Sequence, residues 1–131
     1  MFIILNKDKL ETKDIIFYKK KNKYRICYLL NDIKLLGIPL NIKDFEFIKT
    51  YNHVVIKLLK QKDIELINEI YLHINKYMNY RINHIFQSNN TMIIKHYGDK
   101  SNIYQKNEIN ISIDNISIKN NCYFINIFLL E

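Results

Sequence analysis

Apolar positions recur along this chain with two different periods, and the change from one to the other divides it. From Asp63 to Phe86 the residues Ile64, Ile67, Tyr71, Ile74, Met78, Ile82 and Ile85 are spaced by threes and fours, the period of one helix face. Glu65, Asn68, Glu69, Asn75, Lys76, Asn79 and Asn83 fall on the other side, so the stretch is expected to be a long helix lying half-buried on a sheet. Asp63 is its expected N-cap. Asp63, Glu65 and Glu69 put negative charge at the positive end of the dipole, and Lys76 and Arg81 lie toward the negative end.

Before and after that stretch the pattern is strand-like. Phe2 to Leu5 fits an edge strand or a terminal arm. Asp14–Tyr18 and Lys23–Leu30 fit two strands of a hairpin with the polar Lys19, Lys20, Lys21 and Asn22 at its tip. In the second strand Tyr24, Ile26, Tyr28 and Leu30 alternate with Arg25, Cys27 and Leu29. Asn31 and Asp32 predict a turn. Ile33 to Ile42 should then be broken in two, because Pro39 cannot donate to a ladder and Gly37 favours a sharp bend. Asn41 to Asn52, carrying Phe45, Phe47 and Tyr51, reads as a loop, and His53–Lys60 as a strand leading into the helix.

Beyond the helix, Gln87–Asn90 is an expected loop, Thr91–Tyr97 a strand and Lys100–Asn107 a polar, mobile loop. Ile109, Ile111 and Ile113 alternate with polar neighbours, but Ile116 and Ile118 have the opposite parity, which a bulge or tight turn at Asp114 and Asn115 would explain. Lys119–Asn121 is a turn, and Cys122–Leu130 a mostly apolar strand, central or packed on both faces. Strands on both sides of one helix, joined by short turns, imply a single α+β domain spanning residues 1–131 with a mainly antiparallel sheet. A partly open five-stranded barrel of the oligonucleotide-binding type also places a helix between its third and fourth strands. A 24-residue helix, about 36 Å long, is long for that barrel.

The chain has 131 residues, enough to bury a core without staples. Richness in Ile, Asn, Lys and Tyr, with no Ala and no Trp, matches an extremely AT-rich genome, so codon bias accounts for part of the lysine content. The net charge of +7 still points to a polyanion partner, because its excess is concentrated. Lys7, Lys9, Lys13, Lys19, Lys20, Lys21, Lys23 and Arg25 outweigh Asp8, Glu11 and Asp14 within residues 1–30.

Several kinds of chemistry are disfavoured. Two glycines cannot build a phosphate-cradling loop. His53, His73, His84 and His96 lack metal-ligand spacing, and on one helix His73 and His84 would stand about 16 Å apart. Glu65 and Glu69 suit the helix dipole better than acid-base work. Cys27 and Cys122 read as reduced core thiols, and the sequons at Asn89, Asn110 and Asn115 as chance. The expectation is no enzyme, no cofactor and no metal. The apolar start, Met1 to Leu5, is too short for a signal peptide, and no run approaches the roughly 20 residues that span a bilayer. The expected setting is soluble and intracellular, with no membrane partner.

The strongest functional candidate is the basic hairpin with interleaved rings: Tyr18, Lys19, Lys20, Lys21, Lys23, Tyr24 and Arg25, followed by Tyr28. Cations for phosphates and flat side chains for bases are what a groove tracking a single strand requires. The competing reading makes the tyrosines half-buried strand residues and the lysines a solvated tip. The succession Lys23-Tyr24-Arg25-Ile26-Cys27-Tyr28, Leu36-Gly37-Ile38-Pro39-Leu40, Val54-Val55-Ile56-Lys57-Leu58 and the helix from Asp63 resembles the single-stranded-DNA-binding proteins of large nucleocytoplasmic DNA viruses. The resemblance spans residues 14–85 and extends loosely into the last two strands. It departs where Ile38 precedes the proline in place of a Thr, and where the final strands lack Gly and Trp.

What the resemblance implies is an OB-like, sequence-tolerant, non-catalytic module that coats single-stranded nucleic acid in a virus-infected cell. The alternative expectation is a non-catalytic structural or scaffold subunit, a homo-oligomer or part of a viral or other assembly, contacting protein through surfaces such as Phe45, Phe47 and Tyr51.

Overall fold

A computed structural model describes residues 3–48, 53–84, 90–96 and 102–130, excluding the side chains of residues 83 and 84. Three hairpin turns set its frame. β1 (Ile15–Lys20) and β2 (Lys23–Leu30) pair from Ile15 opposite Tyr28 to Lys20 opposite Lys23, so only Lys21 and Asn22 form the turn. The expected tip was two residues too long: Lys19 and Lys20 are polar but extend the ladder at an edge strand, where water solvates them. Asn31 and Asp32, at φ 48° and 68°, turn β2 into β3 (Ile33–Leu36). Asn120 and Asn121, at φ 52° and 62°, turn β9 (Ile109–Lys119) into β10 (Cys122–Leu130). Two consecutive left-handed residues make these two tight turns, and Asn and Asp tolerate them, whereas in the β1–β2 turn only Lys21 has positive φ, 44°.

The break after β3 falls at Gly37, which has φ 83° and donates its N–H to Ile26 O at 2.8 Å. A side chain at this position would collide with Ser112 Oγ and come within 3.3 Å of Asp114 Oδ1. Beyond the bend, β4 (Ile38–Ile42) leaves β2 and pairs with β9 through Ile113. β9 then pairs with β2 from Asn115 to Ser117, and Asp114 between them is the bulge that the parity of the isoleucines announced. Leu5 is buried and donates its N–H to Pro39 O at 3.0 Å, so the N-terminal arm lies along β4.

The larger sheet runs β1-β2-β9-β10-β7, with β3 joined to β2 and β4 to β9. β7 (Ile82–His84) is its one parallel member among the described residues. A smaller antiparallel sheet contains β5 (Phe45–Ile48), β6 (Val54–Leu58) and β8 (Thr91–Ile94). β5 replaces the expected loop. Phe45 and Phe47 alternate with Glu46, and their rings meet edge to face at 5.0 Å. Lys95 links the sheets: its N–H donates to Ile127 O at 2.8 Å and its carbonyl accepts from Leu129 N at 3.1 Å. The fold is thus α+β with mainly antiparallel strands, and the sheets do not close into a barrel.

The helix α1 spans Gln61–Tyr77 and buries Ile67, Ile70, Tyr71 and Ile74, with Met78 just past its end. It stops well before Phe86 because Asn79 and Tyr80 adopt φ 54° and 59°, after which Ile82 enters β7. Ile85 and Phe86, expected on the helix, lie outside the described residues. Asn75, placed on the polar side by periodicity, is buried, and its Oδ1 accepts from Ile82 N at 3.2 Å across the reversal. Asp63 is not the cap. Lys60 holds that place, and Asp63 in the first turn is 3% exposed and paired with Lys7 Nζ at 2.8 Å.

One hydrophobic core joins the helix and both sheets through Ile26, Leu40, Ile56, Ile70, Ile94 and Ile111, each fully or almost fully buried. Burial of each such side chain contributes roughly 1.5–3 kcal/mol. The segment expected to be a mobile loop contributes Ile103, which a short 3-10 turn (Ile103–Gln105) plugs into that core at 2% exposure.

Candidate nucleic-acid interface

Residues directly opposite in antiparallel strands share a face, and the registers therefore define rows across the larger sheet. Tyr18, Arg25, Asn115 and Asn126 form one row, and Lys20, Lys23, Ser117 and Phe124 the next. Both rows lie on the sheet face opposite α1. No carboxylate occupies either row. β3 adds a further cation, since Lys34 stands opposite Leu29 on this same face and holds its Nζ 4.5 Å from the centroid of the Tyr18 ring. Tyr18 is 44% exposed, so the ring is open to a ligand.

The seven residues expected to form the site are divided by this register. Tyr18, Lys20, Lys23 and Arg25 are together on the outer face. Lys19 and Tyr24 are opposite one another on the inner face, where Tyr24 meets Tyr77 of the helix edge to face at 6.0 Å and Lys19 Nζ lies 5.8 Å from the Tyr24 centroid. Phe17 stacks on Tyr77 beside them, with centroids 4.0 Å apart. Lys21 is in the turn, at φ 44°. Tyr28 points inward and is buried, its hydroxyl accepting from Glu11 N at 3.0 Å.

Beneath the cations the floor is polar and tightly held. Asn126 Nδ2 donates to Asn115 Oδ1 at 2.7 Å and to Ser117 Oγ at 3.0 Å, while Asn115 Nδ2 donates to Asp114 Oδ2 at 2.8 Å. These bonds orient the floor without using up the cations. Arg25 Nε is buried and has no hydrogen-bond partner among the described residues. Cys27 lies on the same face at 1% exposure; desolvation raises its thiol pKa, and the nearby Lys34 and Arg25 charges oppose that rise.

Beside the second row a cavity of ≈380 Å³ opens between β8 and β10. Met92, Ile125, Ile127 and Tyr71 of α1 give it largely apolar walls, Phe124 a flat ring, and Lys95, Lys119 and His53 basic groups, while no carboxylate lines it among the described residues. A larger depression of ≈690 Å³ at the other end of β9 is shallower and includes Glu108 beside Lys43 and Lys106. Its mixed charge makes it a poorer polyanion site. Among the described residues no group of three or more His, Cys, Asp or Glu is placed to hold a metal ion. Burial raises the pKa of the Tyr71 phenol, which keeps it protonated.

Sequence reasoning missed Lys34, Lys119, Ser117, Phe124 and Asn126, which only strand register brings to the hairpin. One signal was present: Asn126 is the sole amide in the apolar run Cys122–Leu130. Tyr51, expected at a protein-contact surface, lies outside the described residues. Compared with protein-family models, curated proteins and solved structures, the chain has no significant match.

Proposed function

We propose that this chain is a non-catalytic, sequence-tolerant single-stranded nucleic-acid-binding protein. The observation that carries this reading is the outer face itself, on which Tyr18, Lys20, Lys23, Arg25 and Lys34 gather with no acidic residue in their rows. Cations at strand spacing, about 4.8 Å, suit a phosphate backbone, and an exposed ring supplies a stacking surface worth roughly 1–3 kcal/mol per base. The amides and hydroxyl within these rows are largely engaged with one another, so few donors or acceptors are left to select among base edges, hence the tolerance of sequence. The resemblance of the sequence's layout to viral proteins that coat single strands favours the same reading. No helix among the described residues is long and apolar enough to cross a membrane.

A scaffold role has its own observation in Ile33 and Leu36, 57% and 58% exposed on β3, a surface suited to protein contact. Phe45 and Phe47, also expected to serve that role, are half-buried and pack on each other, and Phe47 on Tyr104 at 5.1 Å. A labelled oligonucleotide titrated at two salt concentrations separates the two. Affinity that falls as salt rises supports strand binding, and absence of binding at low salt leaves the scaffold.

A further inference from the structure

We propose that the ≈380 Å³ cavity between β8 and β10 is a mononucleotide pocket, taking a base against Phe124 and its phosphate at Lys95 and Lys119. This deepens the strand-binding reading and rests on it for the identity of the ligand class. The volume falls within the roughly 300–1,000 Å³ typical of small-molecule sites. Its chemistry is segregated in the way a nucleotide requires. Met92, Ile125 and Ile127 present apolar wall to a base, with the Phe124 ring as the stacking surface.

Both hydrogens of Asn126 Nδ2 are spent on Asn115 Oδ1 and, at 3.0 Å, on Ser117 Oγ, which leaves Asn126 Oδ1 and the Ser117 hydroxyl in the lining to meet a base edge. Lys95 and Lys119 come from different sheets, and both are exposed, so their ammonium groups reach a phosphate at the mouth. Lys95 is rooted firmly, because its backbone forms the bridge to β10. With no carboxylate among the described lining residues, a cationic ligand is disfavoured and an anion favoured.

Position ties this pocket to the outer face. Ser117 and Phe124 belong both to the cavity and to the row that contains Lys20 and Lys23. A strand laid along those lysines crosses two strand spacings, about 10 Å, to place one nucleotide in the cavity. The pocket is then an anchor point within an otherwise sequence-tolerant track.

The test uses the full chain, labelled with nitrogen-15, and titrates a nucleoside 5′-monophosphate, the unphosphorylated nucleoside and inorganic phosphate separately. Saturable shifts are expected with the monophosphate at the Asn126 side-chain amide and at the backbone of Ser117, Phe124 and Lys95. Lys95→Gln with Lys119→Gln should weaken monophosphate binding at least tenfold, and these exposed positions leave the fold intact. Phe124→Leu should weaken the monophosphate while leaving phosphate unchanged.

Three results would each overturn the proposal: no saturable shift at millimolar monophosphate, identical shifts from inorganic phosphate alone, or shifts confined to Lys20–Arg25. Salt-dependent oligonucleotide binding with an unoccupied cavity defeats only the pocket. A monophosphate in the cavity without any oligonucleotide binding defeats only the strand-binding function.

Discussion

Replacing Lys7 by Met should cost far more than replacing its partner Asp63 by Asn, although both changes delete the same ion pair. The two charges are 2.8 Å apart, with side-chain exposures of 27% for Lys7 and 4% for Asp63. Asp63 Oδ2 has no hydrogen bond among the described residues, so Lys7 is the main compensation for a buried carboxylate. The gross Coulomb attraction at this distance is about 6 kcal/mol at an effective dielectric of 20, most of which desolvation offsets. Removing one partner of a fully buried pair costs about 3–5 kcal/mol; the quarter-exposed lysine reduces this to about 2–3 kcal/mol.

Asp63→Asn instead leaves a lysine able to reach water, at a cost of about 1 kcal/mol. Urea unfolding measures both changes. With a slope near 1–3 kcal/mol per molar, Lys7→Met should lower the midpoint by about 0.7–3 M. A midpoint within 0.2 M or so of the wild type, or a larger loss for Asp63→Asn, would refute the view that this pair locks the N-terminal arm to the helix.

Other consequences are independent of that pair. Ile67→Asp or Ile74→Asp places an unpaired charge in the core and should unfold the domain; unchanged thermal stability would mean the buried helix face is misassigned. Gly37→Ala should destabilise by at least about 1–2 kcal/mol from the left-handed backbone alone, before the collision with Ser112 Oγ, as denaturant melts would show. Cys27, buried and with its thiol pKa raised by desolvation, should resist alkylation at pH 8 in the folded protein while half-buried Cys122 reacts first, read by mass spectrometry. Tyr18→Ala should weaken oligonucleotide binding at a nearly unchanged salt slope, whereas Tyr24→Ala should lower stability through its contact with Tyr77; a reversed pair of effects would put the ligand on the inner face.

The parts of the fold legible in the sequence were those governed by local rules. Asn31 and Asp32 announced a turn because they tolerate the left-handed region, and the parity slip before Ile116 announced the bulge because strand alternation is strict. The helix face was legible from Ile67 to Met78, but its end was not: Ile82 continues the helical phase and is used in a strand. Nothing local to Asn79 and Tyr80 outweighs that phase. β5 was too short, at four residues, to stand out from a loop. For the candidate site, the hairpin was legible as a cluster of charge and rings, while its division between two faces required the register. Lys34, Ser117 and Phe124 reach it only through pairing with β2 and β9, which sequence spacing does not encode.

The most direct test of strand binding is the salt dependence of oligonucleotide affinity, compared between wild type and Lys20→Gln/Lys23→Gln. If the five-residue outer face supplies four cations to phosphates, log affinity should fall with log salt at a slope of roughly −3, or about 50-fold between 50 and 200 mM. The double variant should flatten that slope by roughly 1.4 and weaken binding to all sequences alike, since phosphate contacts carry no base information. Lys19→Gln, on the inner face, should leave it nearly unchanged. Binding that is absent at low salt, or a double variant that keeps the wild-type slope, would contradict the assignment of this face to a nucleic-acid strand.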